Sequence, residues 1–163
     1  MNHTVLIKNL NNIKQKVKDN LKKSGIVVPI KTNRGVKLED YEIVLLPTGY
    51  TIYDKWGESV YSGLYYLQTA ILIANALVTK RTVKDSWLID DRTAGATDFD
   101  MMLFDTRYKN SVKRNDEFGM AHYKIRYLES KRKHNDHIRP IENAYRGILN
   151  TLKSLEKTNK YTA

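Results

Sequence analysis

Three groups of side chains in this 163-residue sequence have types and spacings that could do chemistry. Asp85, Asp90, Asp91, Asp98, Asp100 and Asp105 concentrate carboxylates in one stretch, and two-metal phosphoryl transfer uses converging carboxylates to hold Mg²⁺. Asp98 and Asp100, however, lie about 200° apart on an ideal helix and cannot both face one ion there. Acidic residues are also favoured in the first helical turn by the macrodipole and by capping, which accounts for Asp85, Asp98 and Asp100 without a site. His134 and His137 are one helical turn apart, with Asp136 or Glu142 as a further donor. Zinc-type sites need three or more converging ligands, so the pair reads as seam or solvated histidines. The third group is basic and aromatic: Arg107, Lys109, Lys113, Arg114, Lys124, Arg126, Lys131, Arg132 and Lys133, with Tyr108, Tyr123 and Tyr127 among them. Phosphate contacts need only such charge density, and exposed rings can stack on unpaired bases. Tyr123 and Tyr127 also fit a helical core, the stronger reading of the two.

Other chemistries are excluded by residue type or motif. The chain has no cysteine, which removes disulfides, thiolate metal sites and a cysteine nucleophile. It has no phosphate-loop, dinucleotide, nucleophile-elbow or zinc-protease signature. The sequence therefore reads as a non-enzymatic protein with no metal, no cofactor and no identifiable small-molecule substrate. Its net charge is +10 and unevenly spread: +8 over residues 1–37, −6 over 38–106 and +8 over 107–163. Two cationic arms around an acidic body suit phosphates, or the body of a second copy.

The elements that must position these residues follow from periodicity. Leu6, Leu10, Ile13, Val17 and Leu21 form one apolar stripe, predicting a basic amphipathic helix over 4–23 that stops at Gly25. Pro29 and Asn33-Arg34-Gly35 mark a connector with one short strand. A β-hairpin is expected over 41–54, turning at Pro47-Thr48-Gly49. Residues 64–78 are apolar nearly all round, as in a central buried helix with Leu67, Ile71, Ala74 and Leu77 inside, against Ile43, Leu45 and Ile52 of the hairpin. Gln68, Thr69 and Asn75 argue against a membrane span there, and Gln68 and Asn75 fall on one face where they can pair. Thr82 and Asp85 cap a short helix, Thr93-Ala94-Gly95-Ala96 reads as a loop, and Thr97 caps the next helix to about Lys113. After a turn at Asn115-Asp116, a seven-residue register runs through Met120, Tyr123, Tyr127, Ser130, His134, His137, Ile141, Ala144, Ile148, Thr151 and Leu155. Pro140 predicts a break near 135–139, and residues 157–163 should fray.

Between Leu64 and Ile141 the chain resembles short uncharacterised proteins of marine T4-like phages. The likeness lies in an Ala-rich helix (Ala70, Ala74, Leu77), Asp91 in a loop, then Asp98, Leu103, Tyr108 and Lys109, a turn at Asn115-Asp116, and a basic helix with Tyr123, Arg126 and Lys131. It implies phage origin and carries no catalytic residues.

The expected fold is α+β: one mostly helical domain over 1–163, with one antiparallel hairpin packed on a central apolar helix and a helical hairpin, the helical body spanning 64–156. The expected function is nucleic-acid binding through phosphates by Lys113, Arg114, Arg126, Lys131, Arg132 and Lys133. The alternative is a protein–protein or virion structural subunit. Self-association as a dimer or small oligomer is expected through a seam of Tyr123, Tyr127, Ile141 and Ile148, with no membrane partner. Without an export signal, the host cytoplasm, or the virion, is the expected location.

Overall fold

The computed structural model describes residues 3–10 and 13–162. The fold is mixed α+β and mostly helical. By its contacts the chain divides into two compact units, Met1–Asp85 with Glu142–Ala163, and Ser86–Ile141.

The first unit holds a five-stranded antiparallel meander in sequence order: β1 (Ile30–Lys31), β2 (Gly35–Leu38), β3 (Tyr41–Leu46), β4 (Gly49–Tyr53) and β5 (Ser59–Leu64). The expected hairpin is β3–β4, with Ile43 opposite Ile52 and Val44 opposite Thr51. Its loop is two residues, because Leu46 already pairs with Gly49, whose positive φ a Cβ would make costly. The turn over 54–58 is tied by the Asp54 carboxylate, which accepts from the backbone N–H of Trp56 and of Glu58 at 2.9 Å each. Glu39, with φ of 52°, makes the tight β2–β3 turn.

Helix α3 (Leu67–Val78) packs on β2, β3, β4 and β5. Residues 69–76 are all buried, as the all-round apolar pattern requires. Leu64 belongs to β5 and not to this helix. Ile71, Ala74, Ile43 and Ile52 are in the core, and Leu67 and Leu77 are half-buried. Leu45 is 63% exposed, contrary to its expected place in the core: it shares a face with Ile43 but lies near the end of the strand, at the mouth of a cleft with Ile7 and Leu67. Asn75 reaches the loop after the N-terminal helices, donating to Gly25 O at 2.7 Å and accepting from Val27 N–H at 2.8 Å. No helix among the described residues is long and apolar enough to cross a membrane.

The expected helix over 4–23 is two helices, α1 (His3–Leu10) and α2 (Gln15–Lys23); Asn11 and Asn12 lie outside the described residues. Lys14 is extended, with φ −59° and ψ 143°, so the helix cannot run through. The stripe itself is used: Leu6, Leu10, Ile13, Val28 and Leu152 form a buried cluster, against which Val17, Leu21, Ile148, Leu149 and Leu155 pack.

The second unit is a helical hairpin. Helix α4 (Asp85–Lys113) is continuous through the expected loop at 93–96. Ala94 and Gly95 are buried, and Thr97 does not cap: its hydroxyl donates to Thr93 O at 2.8 Å and Ala94 O at 3.0 Å within the helix. Tertiary packing of small residues overrides their local preference for a loop. The turn is as expected, with Asn115 at φ 54°, Asp116 N–H donating to Ser111 O, and the Asp116 carboxylate accepting from Gly119 N–H at 3.0 Å. This is a left-handed helix end followed at once by an N-cap. Helix α5 (Glu117–Thr162) does not break at Pro140 and continues past residue 157. Pro140 and Asp136 are both exposed, so the carbonyl that loses its helical donor lies on the solvent side.

Candidate nucleic-acid interface

Helices α4 and α5 run antiparallel in the second unit, since rising numbers on one meet falling numbers on the other. Asp90 meets His137, Ala94 and Thr97 meet His134, and Phe104 meets Tyr123. The seven-residue register from Met120 to Ile141 is thus the face that α5 turns to α4. Tyr123 and Tyr127 are half-buried on it and Ile141 is 1% exposed. Ile148 belongs to the first unit's cluster. All four expected seam residues therefore pack within the chain.

The two histidines also serve the hairpin. His134 Nδ1 lies 2.9 Å from Ala94 O and 3.3 Å from the Thr97 hydroxyl, and His137 Nδ1 lies 2.8 Å from the Asp90 carboxylate. Among the described residues no group of three or more His, Asp or Glu side chains is placed to hold a metal. The six aspartates are strung along one helix over roughly 30 Å, at 1.5 Å per residue. Asp98 and Asp100 stand mid-helix, so the first-turn explanation applies only to Asp85. Asp105 is held by Lys109 at 2.9 Å, a bond that raises the lysine above its ordinary pKa.

Lys113, Arg114, Arg126, Lys131, Arg132 and Lys133 are all exposed. At 100° per residue they do not form one strip. Arg126 and Lys133 flank the seam on one side, together with Arg107 of α4, whose guanidinium lies 5.9 Å from the centre of the Tyr123 ring. Arg132 points away from α4, and Lys113 lies on the outer face of α4. Lys131 falls on the opposite side with Lys124 and Lys109, where Asp98 and Asp105 also lie. There Asp105, Tyr108, Lys124 and Tyr127 line a shallow pocket of about 210 Å³.

The face with Arg107, Arg126 and Lys133 carries two rings missed from the sequence. Phe118, 83% exposed, stacks on His122 with centroids 6.2 Å apart and planes 5° from parallel. His122 in turn meets Tyr123 edge-on at 5.1 Å. Both Phe118 and His122 fall off the Met120–Tyr123–Tyr127 register, which is the signal that would have placed them outside. Arg114 sits in the turn four residues before Phe118.

No family model, curated protein or solved structure matches the chain.

Proposed function

We propose that this is a non-enzymatic basic accessory protein, phage-encoded, that binds nucleic acid mainly through phosphate contacts. The observation that carries the reading is the gathering of Arg107, Arg126 and Lys133 on one exposed side of a helical hairpin, next to solvent-facing rings. Phosphates need density of charge and no particular base, so binding is largely independent of sequence. The hairpin unit alone carries eleven basic and nine acidic residues, and at 100° per residue Asp100, Glu129 and Asp136 fall on this side too, so what favours it is arginines beside exposed rings and not an excess of charge. The proposed contacts are accordingly Arg107, Arg114, Arg126 and Lys133, with Lys113, Lys131 and Arg132 peripheral.

The test is binding of a labelled duplex at several salt concentrations. Replacing Arg107, Arg126 and Lys133 by Gln weakens binding to all sequences alike and flattens the log–log salt dependence by about 0.9 per lost phosphate contact. The same change at Lys124 and Lys131 has the smaller effect. Unchanged affinity and slope in the first variant would overturn the reading.

A second reading, a protein–protein or virion structural subunit, is favoured by one observation. Phe99, Met102, Ile125 and Leu128 are each more than half exposed, at 61%, 61%, 57% and 51%. Apolar side chains at this density on one hairpin suit an assembly contact, including a dimer of this chain. Sedimentation at micromolar concentration, with Ile125→Asp and Leu128→Asp as the dissociating variant, tests it.

A further inference from the structure

We infer that the Phe118–His122 pair is a stacking platform for unpaired bases, which makes single-stranded nucleic acid the ligand of the proposed interface. The inference rests on the nucleic-acid reading above and goes beyond it in naming the strand state. Phe118 is the most exposed of the large apolar side chains described, at 83%, yet its position is not accidental. The Asp116 carboxylate caps the start of α5 through Gly119 N–H, and Gly119 lets the helix close on α4, since a Cβ there would collide with the Ser111 hydroxyl and the Asp116 carboxylate. The first turn of α5 is therefore capped and closely packed on α4, and Phe118 stands on it. His122, one turn on, backs the ring in a nearly parallel stack, and Tyr123 meets His122 edge-on and carries Arg107 over its face. His122 thus lies parallel to Phe118 with its centroid 6.2 Å away, and the Phe118 ring stays largely open to solvent.

An open aromatic face rimmed by cations fits a ligand that has both a flat apolar surface and a negative backbone. At 100° and 1.5 Å per residue Arg126 falls about 80° round and about 12 Å along α5 from Phe118, Lys133 about 22 Å along it, and Asp136 farther on at the same angle as Phe118, and Glu129 on the same face lies 3.8 Å from Arg126. A base stacked on Phe118 places its phosphates toward Arg114 on the turn side and toward Arg126 along α5. In a duplex the base faces are already occupied by their neighbours, so only the phosphates can engage. Stacking adds affinity for the single strand alone and tolerates any base, because every base has a π-face.

The experiment is fluorescence anisotropy of the full chain with a labelled 20-nucleotide oligo-dT and a 20-base-pair duplex, at low and moderate salt. Phe118→Ala should lower oligo-dT affinity by about 5- to 150-fold, the range for removing one base stack, leave duplex affinity within twofold, and leave the salt slope unchanged. Phe118→Trp should restore oligo-dT binding. The exposed site makes these variants foldable, and circular dichroism checks that they are. Unchanged oligo-dT affinity in Phe118→Ala, or an equal loss on both ligands, would overturn the platform while leaving the phosphate reading intact. Wild-type chain that binds neither ligand at low salt would overturn both. If that chain instead sediments as a dimer that Phe118→Ala dissociates, the platform is likewise overturned and the face belongs to a second copy.

Discussion

Asn75 shows what a single buried polar side chain does here. It is 7% exposed in the middle of α3, and its amide satisfies one backbone acceptor and one backbone donor of the 25–27 segment. Asn75→Ala strands both groups, at about 1–3 kcal/mol for each buried partner left unmade. The expected outcome is a loss of about 2–6 kcal/mol by urea unfolding, with the denaturant slope unchanged. Tyr145 makes the corresponding point for charge. It is 4% exposed, and burial pushes its phenol up to about 12 from an ordinary value of 10.0. The folded chain thus keeps a proton that the unfolded chain releases above pH 10. Its contribution is whole below that pH and is lost as pH rises toward 12. Melting temperatures from pH 9 to 12 should fall more steeply for the wild type than for Tyr145→Phe; parallel curves would show that the phenol is not held neutral.

At the scale of elements, what could be read from the sequence was what hydrophobic period alone decides. The β3–β4 hairpin and the buried α3 each carry a pattern dense enough to leave one solution, whereas the α5 register was legible as a period but not as to what it faces. Strand β5 does not: Ser59, Val60, Ser62 and Gly63 are exposed, so this outer strand of the meander has no alternation to read. Helix α4 was obscured for the opposite reason. Thr93-Ala94-Gly95-Ala96 has the composition of a loop, yet Ala94 and Gly95 are small because they are buried, a fact of packing that local propensity cannot contain. Pro140 likewise costs α5 less where the carbonyl that it frees can meet water, and exposure is a tertiary property. The candidate site was partly legible. Charge density pointed to Arg126 and Lys133, but which cations share a side depends on where α4 lies. Phe118 carries no charge, so charge density did not point to it, although its place off the Met120–Tyr123–Tyr127 register puts it on the outside.

For the whole molecule the decisive point is where the long register of α5 is used up. From Met120 to Ile141 it faces α4, and Ile148, Leu152 and Leu155 belong to the cluster built on Leu6, Leu10 and Ile13. A seam satisfied inside one chain and a seam shared between two chains differ in their dependence on concentration. Unfolding of the first is unimolecular, whereas a shared seam gains stability as the chain concentration rises. Ile141 is the residue to probe, because at 1% exposure it has the most to lose. Ile141→Ala should cost about 2–5 kcal/mol, the range for a large-to-small change in a packed core. Scans of wild type and variant over a hundredfold range of concentration check it, and the gap between the two melting temperatures should stay constant across that range. A gap that widens on dilution would show that the seam pairs two copies. Contact between copies through Ile125 and Leu128, which lie off the seam, would leave the gap unchanged and respond only to substitutions on that outer face.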